Sequence, residues 1–189
     1  MVIDVHAHLY PRAFMEVLAA HGPAHGASLT DDASQPFLCF EGIKYWRYTE
    51  AFHDAGIRLR QMDAAGVDQQ YLSLGPPMVY WAPAALGLRL ARVYNDEIAR
   101  VARAHPDRFV AFAAVPLQDA TLAVEELERA VALGCRGVGI GSNVHGRQLD
   151  DPALAPFWAR AEALGLPVFI HPISPAAHGD IHDYRLDLV

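Results

Sequence analysis

The chain has 189 residues, 52% of them hydrophobic and 20% charged, which suits one globular domain with its own core. The net charge of −7 and the lack of a basic run argue against nucleic acid as a partner, and no apolar stretch reaches the ~18 residues of a membrane span. The start of the chain has neither a basic n-region nor a long apolar h-region, so a cleaved signal peptide is not expected. The distant pair Cys39 and Cys135 reads as free thiols in a reducing cytoplasm.

Val2 to His6 reads as a buried strand. Residues 10–52 then break the pattern, with Gly, Pro and Asp followed by an aromatic run, and read as an insertion folded over one end of the domain. Within it, Glu41-Gly42 is expected to turn a short hairpin between two β-prone runs. From Asp54 the rhythm is regular. A helix to Ala65 carries Ile57, Met62 and Ala65 on an apolar face and stops at Gly66. A strand at Gln70–Leu74 and a helix at Leu86–Ala104 follow. Next come a strand at Phe109–Val115, a helix at Asp119–Leu133 stopped by Gly134, and a glycine-rich strand at Gly137–Gly141. Asp151 is expected to cap a helix that has Pro152 first and ends at Gly165. Pro167–Ile170 is the last strand, and the tail from Asp183 reads as the start of another helix.

Five strands alternate with helices, and each is apolar throughout, as in a parallel sheet covered by helices. Both a doubly wound sheet and a (β/α) barrel fit this rhythm. The histidines favour the barrel, because His6 and His8 end the first strand and His171 ends the fifth, where barrel enzymes place their chemistry. Strand side chains two apart share a face, so His6 and His8 present two imidazoles to one side and His171 can join from another strand. Three nitrogen ligands with an open position form a common catalytic zinc arrangement. The fold expectation is therefore an α/β (β/α)8 TIM-barrel type, limited to about its first five strands, as a single partial domain over residues 1–189.

Gly137-Val138-Gly139-Ile140-Gly141 is not a nucleotide-binding turn, because the glycines lie within a strand and no helix opens until Asp151. Glycine there is expected to thin a crowded barrel wall. Arg47 is a candidate carboxylate clamp. Trp81, with Tyr80, is a candidate wall for a planar substrate, and His145, with Asn143, follows the fourth strand on the same face.

Several stretches carry a family resemblance: Ile3-Asp4-Val5-His6-Ala7-His8, Met62 to Val67, Arg108 to Ala111, Gly137 to Gly141, and Leu149 to Pro172. On these the chain resembles the amidohydrolase-related (amidohydrolase 2) metal enzymes. Tyr80-Trp81, Pro116-Leu117-Gln118 and Tyr184-Arg185-Leu186 look like the aminocarboxymuconate-semialdehyde decarboxylase subgroup. The resemblance implies a divalent metal, zinc first and manganese second, with His6, His8 and His171 as ligands and Arg47 as a substrate arginine. It also implies that a further metal-binding Asp and a catalytic acid-base His belong to later strands, so no catalytic residue is expected within this chain. An arc of five strands would leave two edges unpaired. The chain is accordingly expected to be the N-terminal part of a larger enzyme, a truncated product, or half of a barrel completed by a second chain. The expected activity is metal-dependent, non-oxidative decarboxylation of an unsaturated or aromatic carboxylic acid. The alternatives are hydrolysis of a lactone or amide by the same metal, or an inactive fragment. A homodimer is the oligomeric state the resemblance suggests.

Overall fold

The computed structural model describes residues 1–30 and 36–173; the predicted helix at Asp183 lies outside them. The elements, in order, are β1 (Ile3–His8), α1 (Arg12–His21), β2 (Ala27–Leu29), β3 (Phe37–Phe40), β4 (Ile43–Arg47), α2 (Ala55–Ala65), β5 (Gln69–Ser73), α3 (Ala84–Ala104), β6 (Phe109–Ala113), α4 (Ala120–Leu133), β7 (Gly137–Gly141), α5 (Ala155–Ala163) and β8 (Val168–His171). The five expected strands form one sheet in the order β1-β5-β6-β7-β8, with every pair parallel. Sequential parallel neighbours joined through helices are the units of a (β/α) barrel. The sheet is curled, since β1 and β8, at its two edges, bring His6 and His171 within hydrogen-bond distance.

Register sorts the side chains. The pairs His8↔Ser73, Phe112↔Gly137, Gly139↔Phe169 and Gly141↔His171 share the inner face. The pairs Ala7↔Leu72, Leu72↔Ala111 and Ile140↔Ile170 share the other. Leu72, Ala111, Val138 and Ile140 are buried there with Leu90, Tyr94, Ile98, Leu127 and Phe157 of the helices. The two edges stay open: among the described residues β1 pairs only with β5 and β8 only with β7, and Ile3, Val5 and Ile170 are exposed.

The helix boundaries follow from local chemistry. Asp54 and Asp119 cap α2 and α4 by accepting main-chain N–H groups, and both helices stop at left-handed glycines, Gly66 and Gly134. Asp151 caps as expected, but the turn it opens, Pro152–Leu154, is a 3-10 helix that then passes into α5. No helix among the described residues is long and apolar enough to cross a membrane.

β1, expected to be buried, is instead largely exposed, because one of its edges has no partner among the described residues. Two further sequence expectations need correction. The segment 10–52 is more regular than its composition suggests. It holds the ten-residue α1, which buries Phe14, Met15 and Leu18, and an antiparallel sheet β2-β3-β4. The helix has no side-chain cap and follows Pro11, so the usual start signals are missing and tertiary burial holds it instead. The hairpin at Glu41-Gly42 does form, with Phe40 paired to Ile43 and positive φ at both turn residues (49° and 80°). The second correction concerns α2, where Ala65 is exposed and Met62 alone is buried.

The glycine strand works as a thinned wall. A Cβ on Gly137 would lie 2.6 Å from ring atoms of Phe112, and one on Gly139 3.3 Å from the Ser73 Cβ. Gly137→Val is therefore expected to destabilise the fold by about 1–3 kcal/mol through overpacking; a urea midpoint equal to that of the parent would contradict this account.

Candidate metal centre

His6 and His8 leave β1 on the inner face, and His171 ends β8 opposite them. Their Nε2 atoms form a nearly equilateral triangle: 3.1 Å from His6 to His8, 2.9 Å from His6 to His171 and 3.0 Å from His8 to His171. The rings meet at 49° to 87°. His6 is exposed, His8 half-buried and His171 buried, so the cluster opens to solvent on one side.

The other ring nitrogens explain why the Nε2 atoms converge. His171 Nδ1 faces the Pro172 carbonyl, and His8 Nδ1 faces the Ser73 carbonyl at 3.4 Å and the Ser73 hydroxyl at 3.3 Å. A carbonyl can only accept, so Nδ1 carries the proton in His171 and His8, which leaves both Nε2 lone pairs free. Burial, reinforced by the neighbouring His171 and His6, pushes His8 down to about 3, and burial also lowers His171. Both rings are thus neutral at pH 7. Unprotonated nitrogens about 3 Å apart repel one another, and a divalent cation between them reconciles the arrangement. The residues present fit such an ion.

Aromatic rings flank the triad. Trp46, from β4, lies 6.2 Å from the His8 ring, and its Nε1 donates to the Pro76 carbonyl at 3.2 Å. Phe169 packs edge-on to His6 at 5.4 Å. The loop after β5 passes close to His8: a Cβ on Gly75 would lie 2.6 Å from the hydroxyl of the buried Tyr10 and 3.1 Å from His8 ring atoms, so glycine suits that position. That loop is tied to the one after β7, since His145 Nε2 donates to the Tyr80 carbonyl and Gly141 N donates to the Tyr80 hydroxyl at 3.1 Å. Trp81 is buried and donates to the Met78 carbonyl at 3.0 Å. Arg47 is exposed at the end of β4, with its guanidinium 5.2 Å from the Phe37 ring. Adjacent strand residues face opposite ways, so Trp46 takes the face toward His8 and Arg47 the other.

The sequence profile of the Amidohydrolase family matches residues 3–186. The chain belongs to the amidohydrolase family. It is 36% identical over 173 residues to 2-amino-3-carboxymuconate-6-semialdehyde decarboxylase of Dictyostelium discoideum, covering 90% of this chain and 48% of that protein. Among solved structures it is similar to 5-carboxyvanillate decarboxylase of Sphingomonas paucimobilis (TM-score 0.77, 30% identity, 98% of this chain and 55% of that one). It is also similar to the Novosphingobium aromaticivorans enzyme solved with bound manganese and 3-methoxy-4-hydroxy-5-nitrobenzoic acid (TM-score 0.79, 25% identity, 99% of this chain and 56% of that one). This amidohydrolase chain thus spans about half the length of the relatives it matches.

Sequence reasoning missed several residues around the histidine cluster. Trp46, Phe169 and Ser73 touch the histidine rings, and Arg58 bonds the His8 carbonyl. Ser73 and Phe169 could have been found by asking which residues share the inner face with His8 and His171. Trp46 lies in the segment read as irregular.

Proposed function

We propose that the protein to which this chain belongs is a metal-dependent, non-oxidative decarboxylase of an unsaturated or aromatic carboxylic acid, with His6, His8 and His171 as metal ligands. The triangle of Nε2 atoms carries the reading. The ion supplies Lewis-acid chemistry, polarising substrate oxygens in an otherwise acidic protein. Zinc and manganese both accept imidazole nitrogen, and the similar carboxyvanillate enzyme was solved with manganese, so both ions are candidates for the site.

The chain's own groups hold and orient the acid. Trp46 and Phe169 provide flat apolar walls beside the ligands, suited to a planar conjugated substrate. Trp81 and His145 shape the rim, His145 being held there by the bond from its Nε2 to the Tyr80 carbonyl. Arg47 is proposed as a carboxylate clamp that would act by leaving Phe37. We also propose a cytoplasmic location, consistent with the free Cys39 and Cys135, and a homodimer.

Metal content and carbon dioxide release test the proposal together. About one divalent ion per chain and metal-dependent release from an aromatic or unsaturated acid are expected. Metal-dependent opening of a lactone or amide without release would favour the hydrolase reading instead.

A further inference from the structure

We infer that Arg58 is a positioning residue for the metal ligands, holding the backbone of both His8 and His6 through one hydrogen-bonded chain; the inference rests on the metal reading above. Arg58 projects from α2. Its Nη2 donates to the His8 carbonyl at 2.6 Å and to the Ala51 carbonyl at 3.0 Å. Its Nη1 donates to Gln70 Oε1 at 3.2 Å. The Gln70 amide then donates to Asp4 Oδ2 at 2.9 Å, and Asp4 Oδ1 accepts the His6 main-chain N–H at 3.0 Å. One guanidinium therefore fixes the carbonyl of one ligand directly and, through two side chains, the amide of the other.

The sheet itself does not do this. The β1–β5 register shifts between Asp4 and Ala7, and His6 lies in that interval. Without regular ladder bonds, the direction of the His6 ring depends on whatever else holds its backbone. Nor is Arg58 engaged elsewhere: among the described residues no ion pair within 4.0 Å involves it, and its buried Nε has no partner. A half-buried arginine usually faces a carboxylate. Here its bonds converge on the ligand strand and its flanking turn, and the planar fork suits several acceptors at once.

Cobalt(II) is the probe, because its visible spectrum reports ligand geometry as well as occupancy. Affinity, spectrum and the thermal midpoint of the metal-free protein are measured for the parent, Arg58→Gln, Arg58→Lys and Gln70→Leu. Arg58→Gln and Gln70→Leu are expected to weaken cobalt binding about tenfold or more and to shift the visible bands. Arg58→Lys, which can still reach the His8 carbonyl, is expected to recover part of the affinity. A lower midpoint with unchanged cobalt affinity and spectrum would mean a purely structural role and overturn the inference. Should Arg58→Gln fail to fold, Gln70→Leu decides by the same two readings, since it cuts the branch to Asp4 and leaves the Arg58–His8 bond. A parent that takes up no cobalt would overturn the metal reading and this inference together, whereas a parent that binds it and variants that bind it equally would overturn only the role of Arg58.

Discussion

His171→Ala is expected to lower divalent-metal affinity by on the order of 10²–10³-fold, roughly 3–4 kcal/mol, while leaving the fold intact. Among the described residues the site is a group of three donors, so removing one takes away a third of the nitrogen ligation. His171 is also the least exposed of the three, at 5%, and its Nδ1–H···O bond to Pro172 fixes the ring before any ion arrives. Such preorganisation makes an imidazole a strong ligand. Calorimetric titration with manganese and with zinc checks the affinity. His105→Ala serves as control, because that ring packs on Phe109 at the other end of β6. Equal affinity in His171→Ala and the parent would remove the metal assignment. A bound ion also stabilises the folded state by mass action, so the metal-induced rise in melting temperature should vanish in His171→Ala.

Asn95→Leu is expected to lower the unfolding free energy by about 3 kcal/mol or more. Asn95 sits in α3 with no exposed surface. Its Nδ2 donates to the Ala114 carbonyl at 2.8 Å and to Glu126 Oε1 at 2.7 Å, while its Oδ1 accepts the Ala114 N–H at 2.8 Å. It therefore saturates both backbone groups of the residue just beyond β6. Leucine nearly matches its volume but leaves three buried polar groups without their partner, each worth ~1–3 kcal/mol. Glu126, fully buried on α4, is also bound by Arg92 and Arg129. The Glu126 hydrogen bond, ahead of that from Asp96, raises the Arg129 pKa, so part of the carboxylate's compensation survives the substitution. Urea denaturation measures the change, and a loss below about 1 kcal/mol would show that Ala114 finds other partners.

The strands and helices from Asp54 onward were legible because their periodicity is set by burial on one face, a property carried by each segment alone. The histidine site was legible for a related reason: i and i+2 on a strand must share a face, and strand ends in a parallel sheet lie together. Helix α1 was hidden because a proline-led start without a capping side chain gives no local signal. Arg47 and Trp46 show a second limit. Neighbouring strand residues face opposite ways, but which of them turns toward His8 depends on how β4 packs beneath the loop at Pro76, a contact 30 residues away in the chain.

By itself, then, the sequence determined the alternation of strands and helices, the glycine-thinned wall and the three histidines at strand ends, all of which follow from short-range patterns of burial and backbone freedom. Only the tertiary structure decided that the three Nε2 atoms meet within about 3 Å, that Arg58 reaches from α2 to β1, and that Asn95 and Glu126 are buried. Polar residues on helices carry no period that tells burial from exposure. Their place depends on partners far away in the chain, which exist only once the sheet has curled and the helices have packed against it.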